Sequence, residues 1–151
     1  MKRLSICILL LLVALPVYGG DVVEESYERL LKVERFAFGG TGFAGSISQG
    51  ELDFRVLLKN KKSSERFRGL YDHGNIQAKC YALVAFSQLD KALLDELSEE
   101  LSKIGGEVTT MEGCIVAATP VPDEVERIGN GAYSIFFGDE YLKRISEQDQ
   151  E

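Results

Sequence analysis

Four groups of residues in this 151-residue sequence have types and spacings that chemistry could use. The first is Gly40-x-Gly42-x-x-Gly45. It matches the string in which a strand delivers a tight turn to a helix N-terminus whose amides hold a pyrophosphate. Here a helical pattern precedes the glycines, and the next helix begins only after Ser48. The βαβ alternation that accompanies a dinucleotide site is also missing. A packed glycine turn with Phe38 and Phe43 as hydrophobic plugs is the plainer reading. An anion or peptide site made from the loop amides around Gly40, Gly42 and Gly45 is the functional one.

The second group centres on His73, the single histidine, which follows Tyr71-Asp72 at the end of a short helical pattern. One histidine excludes metal sites built on several. A helix C-terminus favours a cationic imidazole, which makes surface capping the plain interpretation. A hydrolase around His73 would need a positioned nucleophile, and nearby Ser63 and Ser64 lie in no nucleophile-elbow pattern. Carboxylate pairs such as Glu99-Glu100 and Asp139-Glu140 are ordinary on helix surfaces and do not indicate glycoside hydrolysis.

Third, Arg55, Lys59, Lys61, Lys62, Arg66 and Arg68 place six basic residues in a fourteen-residue window of a chain whose net charge is −7. Such a window suits an anionic partner, such as phospholipid headgroups, acidic glycan or an acidic protein face. The alternative is a solvated face balanced by acidic helices. Fourth, Cys80 and Cys114 form an even pair outside the N-terminal run, with no C-x-x-C redox motif. In an oxidising compartment they would most simply form a disulfide closing a loop of about 35 residues. The acidic balance, with pI near 4.9, argues against nucleic acid as a partner. No motif calls for a cofactor or a metal.

Elements must position these groups, and apolar periodicity predicts mainly helices. Val23, Tyr27, Leu30 and Leu31 recur at helical spacing, predicting a first helix over residues 22–36. Ser48 and Glu51 have the spacing of a capping box ahead of a helix at 49–59. Ser63 or Ser64 would cap a third helix carrying Phe67, Leu70 and Tyr71 and stopping at Gly74. Residues 76–89 are apolar on nearly every side, which marks the most buried helix. Asp90 begins a fifth, with Leu94, Leu97, Leu101 and Ile104 on one face and Gly105-Gly106 as its stop. A β-branched stretch at 108–119 reads as a small hairpin or an extended loop. One or two helical turns follow at 123–128, then an apolar cluster from Tyr133 to Phe137 and a last helix at 139–147. The expected fold is therefore five to six short helices around residues 76–89, with an α+β domain as the alternative.

The N-terminus reads as an address rather than a fold element. Lys2-Arg3 precede an apolar run from Leu4 to Leu15, and Val17 and Gly19 supply small residues at an exit point. That is the pattern of a cleavable secretory signal over residues 1–19. Crossing a membrane takes about twenty apolar residues, so the run is too short for an anchor. Its removal takes 19 of 151 residues and leaves 132, with all 24 acidic but two fewer of the 17 basic residues, for a net charge of −9. The remainder divides into one domain at 20–145 and a polar tail at 146–151, exported to the periplasm or secreted.

Phe36-x-Phe38-Gly39-Gly40-x-Gly42-Phe43-Ala44-Gly45-x-Ile47-Ser48-x-Gly50-Glu51, Tyr81-Ala82-Leu83 and Thr110-Met111-x-Gly113-Cys114-Ile115 follow one another in a recognisable order. The chain resembles a group of small exported bacterial proteins of unknown function over roughly residues 35–135. The resemblance implies an extracytoplasmic, largely helical domain and brings no catalytic residues with it. Together these readings favour a non-enzymatic binding module of the bacterial envelope, with the glycine loop and the basic 55–68 window as its surfaces. A small hydrolase around His73 and a structural or stress-related envelope protein are the alternatives.

Overall fold

The computed structural model describes residues 21–148, with side chains placed through residue 143. The region read as a signal peptide lies outside the described residues. The fold is mainly α, with seven α-helices and two small antiparallel sheets among the described residues. Side-chain caps fix where several helices begin. Asp21 accepts the Val23 N–H at the head of α1 (Val22–Leu31), and Ser48 accepts the Glu51 N–H at the head of α2 (Gln49–Leu58). Asn75 does the same for α4 (Ile76–Leu89), and Asp90 for α5 (Lys91–Ile104). Each bond satisfies an amide that the helix cannot pair internally. The third helix, α3 (Ser63–His73), departs from expectation, because no side chain caps it. Instead Asn60 accepts the Lys62 N–H just before it.

Helix α4 is the centre of the molecule. Eight of its residues are buried, Ala78 and Cys80 to Phe86, and it packs against α3, α5, α6 and β3. Full burial of a Leu or Phe such as Leu83 or Phe86 contributes about 1.5–3 kcal/mol each. Around α4, rings from distant segments meet edge to face. Phe36 lies 4.9 Å from Tyr81, and Phe38 lies 5.1 Å from Phe54, centroid to centroid.

Helix α1 stops five residues short of residue 36. Extended backbone replaces its last predicted turn, because Phe36 pairs with a strand far along the chain. The Phe36 N–H donates to the Thr109 carbonyl at 2.8 Å, and its carbonyl accepts from Met111 N–H at 3.0 Å. That strand, β3 (Glu107–Glu112), forms the expected hairpin with β4 (Ile115–Pro120), in register from Glu107 opposite Pro120 to Glu112 opposite Ile115. Gly113 turns it with φ +55. The glycine segment forms a second, smaller hairpin, β1 (Gly40–Thr41) with β2 (Ser46–Ile47).

After β4 the expected one or two turns become a nine-residue helix, α6 (Val121–Gly129), started by proline near its first position. A 3₁₀ turn at Ser134–Phe137 leads to α7 (Asp139–Gln148). The tail read from residue 146 is thus helical through Gln148. No helix among the described residues is long and apolar enough to cross a membrane.

Candidate functional site

The residues singled out by charge and motif do not converge. Arg55 faces inward from α2, where its side chain is 9% exposed and pairs with Glu51, which is wholly buried. One Glu51 oxygen accepts from Arg55 Nε at 2.9 Å and from the Tyr141 hydroxyl at 2.9 Å. The other accepts from the Gly39 N–H at 2.7 Å. Arg55 also donates to the Phe136 carbonyl at 3.0 Å and lies 5.2 Å from the Tyr141 ring centre. Arg55 therefore ties α2 to the glycine segment and the C-terminal elements, and it presents no charge to a partner. Arg66 pairs with Glu24 at 2.8 Å, and Arg68 with Asp72 at 3.1 Å. Lys59, Lys61 and Lys62 remain exposed at the α2–α3 turn, with no ion pair among the described residues. The basic window of the sequence is thus three lysines in space.

In the glycine loop the amides of Gly39, Gly42 and Gly45 already have acceptors, which leaves them unavailable to an anion. Gly39 N–H serves Glu51, Gly42 N–H serves the Gly113 carbonyl, and Gly45 N–H serves the Gly42 carbonyl. Gly42 and Gly45 are needed for their positive φ of 70 and 64. Gly40 is needed for space, since a Cβ there would stand 2.7 Å from the Gly45 carbonyl oxygen. Phe38 does plug the core at 5% exposure, but Phe43, expected to do the same, stands fully in solvent at the hairpin tip.

Cys80 and Cys114 are both free. Bridged sulfurs sit about 2 Å apart and so share one environment. Cys80 is wholly buried inside α4, whereas Cys114 is exposed in the β3–β4 turn, so the expected bridge is replaced by two unlike thiols. Burial pushes the Cys80 thiol well above the ordinary range, which leaves it unreactive. His73 is exposed at the end of α3, and no carboxylate or hydroxyl among the described residues is hydrogen-bonded to it. It lines a depression with Tyr27, Lys62, Glu65 and Arg66, a set without a positioned nucleophile.

The best-formed cleft lies elsewhere. The chain after Phe36 runs parallel to β3, touching it at Phe36–Thr110 and again at Thr41–Gly113. Between these points one side uses four residues, 37–40, and the other only two, Met111 and Glu112. The two backbones must part. The gap opens into a cleft of about 360 Å³, lined from both sides by Ala37 to Gly40 and by Thr110 to Gly113. Phe36, Phe38, Tyr133 and Phe136 contribute aromatic lining, and Ile135, 68% exposed, also borders it. A second depression of about 350 Å³ shares Ala37 and Met111 with the first and extends toward Arg35 and Gln49.

The polar groups bordering the cleft are already engaged. Arg127 donates to Glu112 and, at 3.2 Å, to the wholly buried Glu124, whose other oxygen accepts from the Tyr133 hydroxyl. Burial, then the bond to Glu124, pushes the Tyr133 hydroxyl well above its ordinary range. No group of three or more His, Cys, Asp or Glu among the described residues is placed to hold a metal ion. The lining is largely apolar and aromatic, and its charged members, Arg127 and Glu112, are paired with each other, with Arg127 also paired to Glu124. This suits binding an apolar group better than moving protons.

Sequence reasoning missed this site because its two sides lie about seventy residues apart. The signal was present in F-x-F-G-G and T-M-x-G-C-I, which carry the resemblance and form the opposite sides. Comparison with protein-family models, curated proteins and solved structures finds no match to this chain.

Proposed function

We propose that this chain is a non-enzymatic binding module of the bacterial envelope, exported behind residues 1–19. Its ligand site is the cleft between 37–40 and β3, and it receives an apolar side chain or similar group presented by an envelope protein. The parted backbones carry this reading: they leave an aromatic-lined opening of about 360 Å³ beside carboxylates already bonded to Arg127 and Tyr133. A preformed apolar cleft with few polar groups is the usual form of a binding site. The signal-like N-terminus and the resemblance to small exported proteins support the location.

A second reading rests on Lys59, Lys61 and Lys62, which leave positive charge free for an anionic envelope partner. In-cell crosslinking separates the two. A photoreactive residue at Ile135 should capture a partner in the native envelope, and capture should disappear when Met111 is changed to Lys at the cleft wall. Changing Lys59, Lys61 and Lys62 to Glu should leave the captured species unchanged. Loss of capture in the triple variant, with capture intact in Met111→Lys, would move the site to the lysine turn and end the cleft reading.

A further inference from the structure

The other side of the same hairpin carries a separate surface. Strand β4 pairs with β3 on one edge only, and its residues from Ile115 to Ala118 are exposed although four of its six side chains are Ile, Val or Ala. Register and bonding fix which of its backbone groups face outward. Thr109 and Met111 direct theirs to Phe36, away from β4, so Val108, Thr110 and Glu112 face the partner strand. Antiparallel alternation then turns Ile115, Ala117 and Thr119 toward β3, and Val116 and Ala118 outward. Pro120 closes the row, having no N–H to offer. An uncharged edge with unpaired N–H and C=O groups of this kind is a template for another strand.

We propose that this edge pairs with β4 of a second copy of the chain, antiparallel about a two-fold axis through Ala117. Outward groups must meet outward groups, so Val116 of each copy exchanges two hydrogen bonds with Ala118 of the other, four in all. Ala117 then faces Ala117 of the second copy, and Ile115 faces Thr119. The edge is self-complementary, as a two-fold interface requires. Charge distribution selects the same strip. Without residues 1–19 each copy has a net charge of −9, so acidic faces repel, whereas residues 115–120 carry no charge. The carboxylate beside them, Glu112, is already paired with Arg127. Pairing also extends the two-stranded hairpin into a four-stranded sheet. The cleft between 37–40 and β3 lies across β3 from this edge and stays open in the dimer.

The contact is smaller than a standard interface, so it depends on concentration. Sedimentation of protein purified from its native source should show monomer passing to dimer between about 1 μM and 1 mM, the range of weak interfaces. Ala118→Pro removes an outward N–H without touching a bond to β3, and should weaken the dimer about tenfold or more. In a Cys114→Ser background, Ala117→Cys should form a disulfide-linked dimer under mild oxidation. Ile115→Cys should do so far more slowly, because two copies of that residue stand about 13 Å apart along the paired strands. Protein that stays monomeric throughout would overturn the proposal. So would a dimer that ignores Ala118→Pro, or equal crosslinking at 115 and 117. Should Ala118→Pro fail to fold, the two cysteine variants decide.

Discussion

Two regions of this molecule use their residues in opposite ways. Around Glu51, groups of the kind that perform chemistry are wholly enclosed: a carboxylate, a guanidinium and a tyrosine hydroxyl satisfy one another and hold α2 against Gly39, Phe136 and Tyr141. At the two hairpin tips the reverse holds, because Phe43, Ile115, Val116 and the Cys114 thiol stand in solvent. The contrast teaches that charge and reactivity in a sequence do not identify a working surface. Buried ionic groups are constrained by the need for partners, whereas exposed apolar groups have stability reasons to be elsewhere.

The sharpest way to break this contrast is to remove the enclosed carboxylate. Glu51→Ala removes the buried carboxylate that pairs with Arg55 and accepts from the Gly39 N–H and the Tyr141 hydroxyl, and should cost about 3–5 kcal/mol of stability in urea denaturation. A loss near zero would place Glu51 among dispensable surface groups and collapse the distinction.

Alkaline pH probes the same interior more gently. Burial pushes the Tyr81 hydroxyl up to about 12, while that hydroxyl donates to the Ala37 carbonyl and accepts from the Ala37 N–H. Tyr71 is likewise pushed up to about 12 by burial, and Tyr141 to about 12 by burial and then by its bond to Glu51. The folded state holds these protons more tightly than the unfolded chain, whose tyrosines titrate near 10. The stabilisation is therefore complete below about pH 10 and is lost as pH rises toward 12, with Tyr81 alone contributing about 2–3 kcal/mol. Denaturation midpoints followed from pH 9 to 12 should fall over that interval; a flat profile would contradict the burial of these hydroxyls.

The smallest effect belongs to the tips. Cys114→Ser should change stability by no more than about 0.5 kcal/mol. In the parent protein a thiol reagent should label Cys114 at once and Cys80 only on unfolding. Two inert thiols that appear after reduction would instead restore the disulfide.

Much of the frame was legible in the sequence, for local reasons. The run at 76–89 is apolar on nearly every side, so it took the most buried position, with eight of its residues enclosed. The β-branched runs flanking Glu112-Gly113 allowed a small hairpin or an extended loop, and the hairpin is what forms. Where competition was tertiary, local signals failed. Ser48 and Glu51 have the spacing of a capping box, and Ser48 does accept the Glu51 N–H. The Glu51 carboxylate goes to Gly39, Arg55 and Tyr141, because a wholly buried carboxylate gains more from charged and hydroxyl partners than from one local amide. Arg55 follows it inward, which no count of basic residues could reveal. Helix α1 stops early for a related reason: Phe36 finds hydrogen bonds on β3, more than seventy residues away.

What the sequence determined by itself was the type of most elements, the central helix, the helix starts at Ser48 and Asp90 and an N-terminal segment unlike the rest, since these depend on periodicity and neighbours within a few residues. Tertiary structure alone decided which charges are enclosed, which thiol is exposed, and where the chain opens. The cleft exists because four residues on one side span the distance that two cover on the other, and that mismatch arises only when remote segments pair.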